Sequence, residues 1–259
     1  MDDIKTLLKK LLDKEISLNE AEKLLKANIV EDVGNLARLD VLRKTRTGIP
    51  EVIYAEKKSA NVLIEIIKSF LKTNHFAIIS RFNTEQKELI LKAYEKSNNL
   101  KIQINDLGKI MIIKEISYNF SEKGGIVGII TAGSSDIPIA EEAKIISELM
   151  GCKVLTSYDV GIAGVHRIFD PLSNMIKEGV HVIIVCAGME GTLPGVVAAL
   201  TDVPVIGVPV SSGYGLGGKG IGALTTMLQS CSPGLLLVNI DNGFGAGACA
   251  ALIANKIAK

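Results

Sequence analysis

The stretch Gly124-Gly125-Ile126-Val127-Gly128-Ile129-Ile130-Thr131-Ala132-Gly133-Ser134-Ser135-Asp136-Ile137-Pro138 decides the fold. A short apolar run between glycines and a polar turn has the length of a strand buried on both faces. A helical stretch near 137–150 follows it. The alternation then repeats. Further apolar runs begin near Lys153, His181, Val203 and Leu235. Helical stretches near 165–178, 192–200, 219–229 and 244–257 separate or follow them. Buried strands alternating with helices indicate parallel pairing. Right-handed crossovers then give a three-layer, doubly wound α/β sheet. Ligands of such sheets sit beyond the carboxyl ends of the strands. The loops there span 131–136, 157–167, 187–194, 210–220 and 239–247.

Outward from this region the composition changes. Residues 1–120 hold 3 of the 25 glycines and carry a charge of +4; residues 121–259 hold 22 and carry −3. A boundary is expected near 121–125, giving an N-terminal region of 1–120 and a nucleotide-binding catalytic domain of 121–259. The first region opens with a helix, because Ile4, Leu7, Leu8, Leu11 and Leu12 recur at helical spacing. Ser17 precedes Glu20 by three, the spacing of a capping box that starts a second helix. Strands are expected at 51–54, 76–80, 101–104 and 110–113, and helices at 59–72 and 84–97. This is a helical segment followed by a small α+β region.

Bulk properties exclude several classes. The net charge of +1 supplies no field toward nucleic acid or a membrane surface. Aromatic residues make up 4% of the chain and Trp is absent, too little for a base-stacking module. Cys152, Cys186, Cys231 and Cys249 form no C-x-x-C pair, so a Cys/His zinc site is not expected. Reduced thiols, a charged N-terminus without a signal-peptide pattern and the lack of a run near ~18 apolar residues point to a cytoplasmic protein.

Each loop offers a chemical reading and a structural one. In Thr131–Asp136, Ser134 and Ser135 can donate hydroxyl bonds to an anion at a helix start, and Asp136 can hold a ribose hydroxyl. Equally, Ser135 or Asp136 can merely cap the helix. His166 and Arg167 suit phosphate or carboxylate recognition, or form an exposed pair. Glu190, at a crowded strand end, is either a poorly hydrated general base or an acid favoured by a helix dipole. The loop Ser211–Gly220 contains G-x-G-x-x-G but does not begin the first βα unit, so it is no dinucleotide fingerprint. It reads as a lid or clamp with Lys219 as an anion contact, or as a mobile loop. Asp241, within a Gly-x-Gly-x-Gly loop, is a hydroxyl or metal partner, or part of a closely packed helix start. Cys231 falls between a helix and the last strand, opposite the ligand loops, where a lone Cys is usually inert.

Taken together, Gly133-Ser-Ser-Asp136, Val165-His166-Arg167, Leu193-Pro-Gly-Val-Val-Ala-Ala-Leu200 and Val203-Pro-Val-Ile-Gly-Val-Pro209 resemble the aminoimidazole ribonucleotide (AIR) carboxylase, or PurE, domain. Asp40-x-x-Arg43-x-x-Arg46-x-Gly48-x-Pro50-Glu51, Ala187-Gly-Met-Glu190-Gly, Gln229-Ser-Cys231 and Asn239-Ile-Asp-Asn-Gly-Phe-Gly245 are similar to the LarB family of nickel-pincer cofactor biosynthesis. The LarB resemblance covers nearly the whole chain. It implies an enzyme that carboxylates the pyridinium ring of nicotinic acid adenine dinucleotide with CO2. That enzyme also hydrolyses the phosphoanhydride, giving pyridinium-3,5-biscarboxylic acid mononucleotide and AMP. By the same resemblance Cys231 is the nucleophile and Glu190 the base. Ser134, Asp136, His166 and Arg167 match PurE ligand positions, and Arg43 and Arg46 hold phosphates or carboxylates. Mg2+ is implied for the hydrolysis, with Asp136 and Asp241 as candidate contacts and no evident cage. A homo-oligomer, an octamer by resemblance to PurE, is implied as well, with helix 245–257 packing between subunits. Such an assembly could bring Cys231 of one subunit to another subunit's ligand site. The alternatives are a purine-pathway AIR carboxylase or N5-carboxyaminoimidazole ribonucleotide mutase, and a non-catalytic nucleotide-binding protein.

Overall fold

A computed structural model describes residues 4–27, 31–33, 37–40 and 43–259. The chain divides into two compact units. The first comprises residues up to Ile104 together with Met111–Tyr118, and the second Asn105–Ile110 with Asn119–Lys259.

The first unit begins with α1 (Ile4–Leu12) and α2 (Leu18–Ala27). The capping box at the start of α2 is formed: the Glu20 N–H donates to Ser17 Oγ (3.2 Å) and the Ser17 N–H to Glu20 Oε2 (3.0 Å). Two three-residue strands, β1 (Glu31–Val33) and β2 (Ala37–Leu39), pair antiparallel, and α3 covers Arg43–Thr47. Sequence periodicity shows none of these three, because elements of three to five residues are too short for either pattern to repeat recognisably.

The rest of this unit is a four-stranded sheet of β3 (Ile53–Tyr54), β4 (Phe76–Ser80), β5 (Leu100–Asn105) and β6 (Ile110–Glu115), in the order β3-β4-β6-β5. α4 (Ala60–Asn74) and α5 (Thr84–Tyr94) belong to the same unit. Leu63, Ile67 and Phe70 of α4 and Ile90 of α5 form its core with Ile79, Met111 and Ile113. Asn83 and Gln86 close a second capping box at the start of α5.

The second unit carries the five-stranded sheet. β7 (Ile126–Thr131), β8 (Lys153–Ser157), β9 (Val182–Ala187), β10 (Val205–Pro209) and β11 (Leu235–Leu237) run in the order β8-β7-β9-β10-β11. All four pairings are parallel. β9 and β10 are buried along their whole length, as a central strand covered on both faces must be. Strand order reverses between β7 and β9, so the switch point of the doubly wound sheet lies there.

The helices are α6 (Ile137–Leu149), α7 (Phe169–Lys177), α8 (Leu193–Leu200), α9 (Ile221–Leu228) and α10 (Gly243–Ile257). α7, α8 and α9 share one core with Ile183, Val185 and Ala187 of β9. α6 and α10 pack on each other and on the central strands. Glycine makes two of these contacts possible. A Cβ at Gly128 would lie 2.9 Å from Met175 Sδ of α7, and one at Gly207 would lie 3.1 Å from Met227 Sδ of α9.

The C-terminal helix, expected to pack between subunits, sets its small-residue face against α6 of the same chain. A Cβ on Gly243 would lie 2.3 Å from the Ile139 carbonyl oxygen, and one on Gly247 would lie 2.4 Å from that of Ala143. Ala246, Ala250, Ala251 and Ala254 are buried behind them. Small residues four apart let the two backbones approach more closely than larger side chains allow. Cys249, also on α10, is exposed.

Candidate active site

A cavity of about 320 Å3 opens at the switch point, lined by residues that follow β7, β8, β9 and β10. Its floor is Asp136, which is 2% exposed. The Gly133 N–H donates to Asp136 Oδ2 (2.9 Å), and the Ser212 hydroxyl donates to Asp136 Oδ1 (2.8 Å). Burial pushes this carboxyl above the ordinary Asp value, against the opposing pull of bonds from Gly133, Ser212, Gly188 and Ser135. Asp136 closes the turn before α6 and faces the cavity.

Four loops meet here at close quarters. A Cβ on Gly188 would lie 2.4 Å from Ser212 Oγ and 3.4 Å from Asp136 Oδ1. One on Gly213 would lie 2.7 Å from the Met189 backbone nitrogen, and one on Gly161 would lie 2.6 Å from the Ala132 carbonyl oxygen. Only glycine permits these approaches. After β9 the chain turns sharply: the Gly191 N–H donates to the Gly188 carbonyl (2.9 Å), with Met189 at φ 49°. This turn presents Glu190 at the cavity rim.

Arg167 brings a positive charge to the opposite wall. Its Nη1 donates to the Asp159 carbonyl oxygen (2.6 Å) and to the Asp159 carboxylate (3.3 Å). The Asp159 N–H in turn donates to Thr131 Oγ1 (2.9 Å), at the buried end of β7. Gly164 clears room for the guanidinium, since a Cβ there would lie 2.7 Å from Arg167 Nε.

The structure thus gathers Ser135, Asp136, Arg167 and Glu190 around one cavity. Ser134, His166 and Lys219 are exposed and do not line it. Glu190 is itself exposed, so the crowded, poorly hydrated strand end expected of it is not found in a single chain. A tight two-residue turn throws the side chain outward instead of burying it. Asp241 accepts from the Ser211 N–H (2.8 Å) and holds the base of the 210–220 loop from outside the cavity. Arg43 and Arg46 belong to the first unit, where Arg46 pairs with Asp40.

Cys231 lines a second hollow of about 350 Å3 with Gly195, Thr226, Ser230 and Ser232. Thr192 lines both cavities. Within one chain Cys231 is therefore exposed but separate from Asp136 and Glu190. Cys186 is fully buried, and burial, reinforced by the Asp136, Glu142 and Asp241 carboxylates, pushes its thiol up. That makes it an inert packing residue.

Among the described residues no three His, Cys, Asp or Glu side chains cluster to hold a metal ion. Asp136 and Asp241 are each engaged by loop N–H or hydroxyl donors. The expected Mg2+ thus finds no preformed cage among them. No described helix is long and apolar enough to cross a membrane.

Sequence reading missed the parts that position these groups. Ser212, Tyr214 and Asp159 sit inside loops singled out for other residues, and Thr131 ends a strand. Only the spacing of strand ends could have signalled them.

The fold and site define a class of protein: a doubly wound α/β domain with a cavity lined by carboxylates and an arginine at its switch point. Comparison with known proteins is specific. The AIR carboxylase model matches residues 126–259, and the LarB/PurE-like N-terminal domain model matches residues 30–115. The chain belongs to the AIR carboxylase family, as a LarB-like protein with a PurE-like domain. It is 47% identical to an uncharacterized protein of Methanocaldococcus jannaschii, over 99% of both chains. It is 37% identical to the N5-carboxyaminoimidazole ribonucleotide mutase of Thermotoga maritima, over 49% of this chain and 73% of that protein. Against the mutase of Pyrococcus horikoshii identity is 38%, over 34% of this chain and 49% of that protein.

Proposed function

We propose that this protein carboxylates the pyridinium ring of nicotinic acid adenine dinucleotide and hydrolyses the phosphoanhydride. The products are pyridinium-3,5-biscarboxylic acid mononucleotide and AMP, for nickel-pincer cofactor synthesis. The observation that carries the reading is the match of residues 30–115 to the LarB/PurE-like N-terminal domain, beside the AIR carboxylase match of residues 126–259.

The chemistry needs a nucleophile, because a pyridinium is electron-poor and does not attack CO2. The Cys231 thiolate adds to the ring carbon beside the nitrogen, and the ring electron pair moves onto nitrogen. The resulting dihydropyridine is an enamine whose β-carbon attacks CO2. A base, Glu190, takes the ring proton from that carbon, and the C–S bond breaks to restore the aromatic ring and the thiolate. The balance is one ring hydrogen exchanged for one carboxylate, with a proton released. Arg167 holds phosphate, and Asp136 holds a ribose hydroxyl. Cys231 and Glu190 occupy different hollows of one chain, so the thiol reaches the ring from a neighbouring subunit of a homo-oligomer.

Purified protein incubated with nicotinic acid adenine dinucleotide and bicarbonate, with and without Mg2+, tests this reading. The expected result is AMP together with a nucleotide heavier by one carboxylate. A folded sample that gives neither product overturns it. Cys231→Ser abolishes carboxylation while leaving the circular dichroism spectrum unchanged. Mixing inactive Cys231→Ser and Glu190→Gln chains restores activity if the two groups come from different subunits.

A second reading is favoured by the mutase names of relatives that match part of this chain. Interconversion of the carboxyaminoimidazole ribonucleotides, without turnover of the dinucleotide, would establish it.

A further inference from the structure

Among the described residues Tyr214 is the sole aromatic side chain lining the switch-point cavity, and 79% of its surface is open to solvent. Its loop is anchored beside it. The Ser212 hydroxyl is bonded to Asp136, and the Gly213 backbone lies against Met189. Beyond Tyr214 a turn closes where the Gly218 N–H donates to the Gly215 carbonyl (3.1 Å). The ring therefore projects from a short, fixed base. It is not the tip of a freely moving strap.

The charges around it are uneven. Asp136 and Glu190 are both carboxylates, whereas the one guanidinium, Arg167, is already shared with Asp159. An aromatic face is electron-rich and attracts a cation stacked on it. A planar ring with a delocalised positive charge meets both demands, and the phosphate attached to it goes to Arg167.

We propose that Tyr214 is the ring-recognition residue of this site, stacking on the substrate's cationic heterocycle and selecting it over a neutral ring of the same shape. The proposal rests on reading the cavity as a pyridinium nucleotide pocket. Its test separates the two. Calorimetric titration of the full-length protein uses nicotinic acid mononucleotide and its 1,4-dihydro form, which differ in ring charge and aromaticity.

Tyr214→Ala is expected to weaken the oxidised nucleotide roughly ten-fold, a change of about 1.4 kcal/mol. The reduced form should weaken about two-fold or less. Tyr214→Phe, which keeps the ring face, should restore both to within about two-fold of wild type. Equal losses for the two ring forms, or no loss for either, would overturn the assignment even if the dinucleotide is turned over. If the wild-type protein binds neither form, the pyridinium reading and this one fall together. Turnover of the dinucleotide by wild type, measured alongside, reports on the first reading alone.

Discussion

Removing the Ser212 hydroxyl should destabilise this protein in a way that depends on pH. The hydroxyl donates to Asp136 Oδ1 at 2.8 Å, and Asp136 is 2% exposed, so water has little access to replace the lost donor. A hydrogen bond to a buried charge contributes on the order of 1.5–3 kcal/mol. Ser212 lies at the surface, which places the loss for Ser212→Ala near the lower end, about 1.5 kcal/mol. Burial already raises the Asp136 pKa in the folded chain, and the Ser212 bond opposes that rise. For an acid raised by folding, stability is greatest below the unfolded pKa and declines as pH climbs through the folded one. Ser212→Ala raises the folded pKa further and extends that decline. Its cost is therefore small below the unfolded pKa, grows through the Asp136 titration and levels off above the folded pKa. Each added pKa unit corresponds to about 1.36 kcal/mol. Urea unfolding followed by circular dichroism across this range measures it. Gly188→Ala gives a cross-check, since its Cβ would lie 2.4 Å from Ser212 Oγ and evict the same hydroxyl. The double variant should cost less than the sum of the two by about the energy of the shared bond, on the order of 1.5 kcal/mol. A pH-independent loss, or strict additivity, would refute the link between Ser212 and the Asp136 charge.

Other perturbations have equally definite outcomes. Gly247→Ala places a Cβ 2.4 Å from the Ala143 carbonyl, where neither backbone can yield cheaply. It should cost about 1–3 kcal/mol in thermal or urea unfolding. Arg167→Lys loses the planar fork that reaches both Asp159 and the cavity, so affinity for a nucleoside monophosphate should fall several-fold while affinity for the nucleoside changes little. Calorimetry with the two ligands separates these effects. His166→Ala, at an exposed residue beside the cavity wall, should leave the same affinities within about two-fold, because exposed positions away from specific contacts carry small energies.

The sheet of the second unit was legible in the sequence because its strands are short apolar runs set between glycine loops. Each helix that covers it is long enough to show a period of its own. The capping box at Ser17 was legible for a related reason: its two partners lie three residues apart, so spacing alone reveals it. The α3 turn and the β1–β2 pair were not, since three to five residues carry no period. Site geometry divided in the same way. Asp136 and Arg167 follow directly from strand ends and lie where such ends converge. The burial expected of Glu190 did not appear, because a left-handed Met189 reverses the chain and turns the side chain out. Backbone conformation of that kind leaves no mark in the residue type. The packing of α10 on α6 was not legible for a similar reason. A glycine-rich apolar face suits a neighbour in the same chain as well as one in another.

Four of the strand-exit loops each hold a non-glycine residue in the left-handed region: Asp159, Met189, Lys219 and Asp241. Glycine would adopt these angles without the penalty of about 1 kcal/mol or more that a side chain incurs there. The loops around the ligand cavity therefore forgo stability that a glycine at any of the four would recover. Selection for heat resistance would find those replacements early. At Asp159, Met189 and Asp241 the replacement would also remove a side chain that bonds a loop or lines the cavity, so hardening this protein and keeping its loop geometry pull on the same codons.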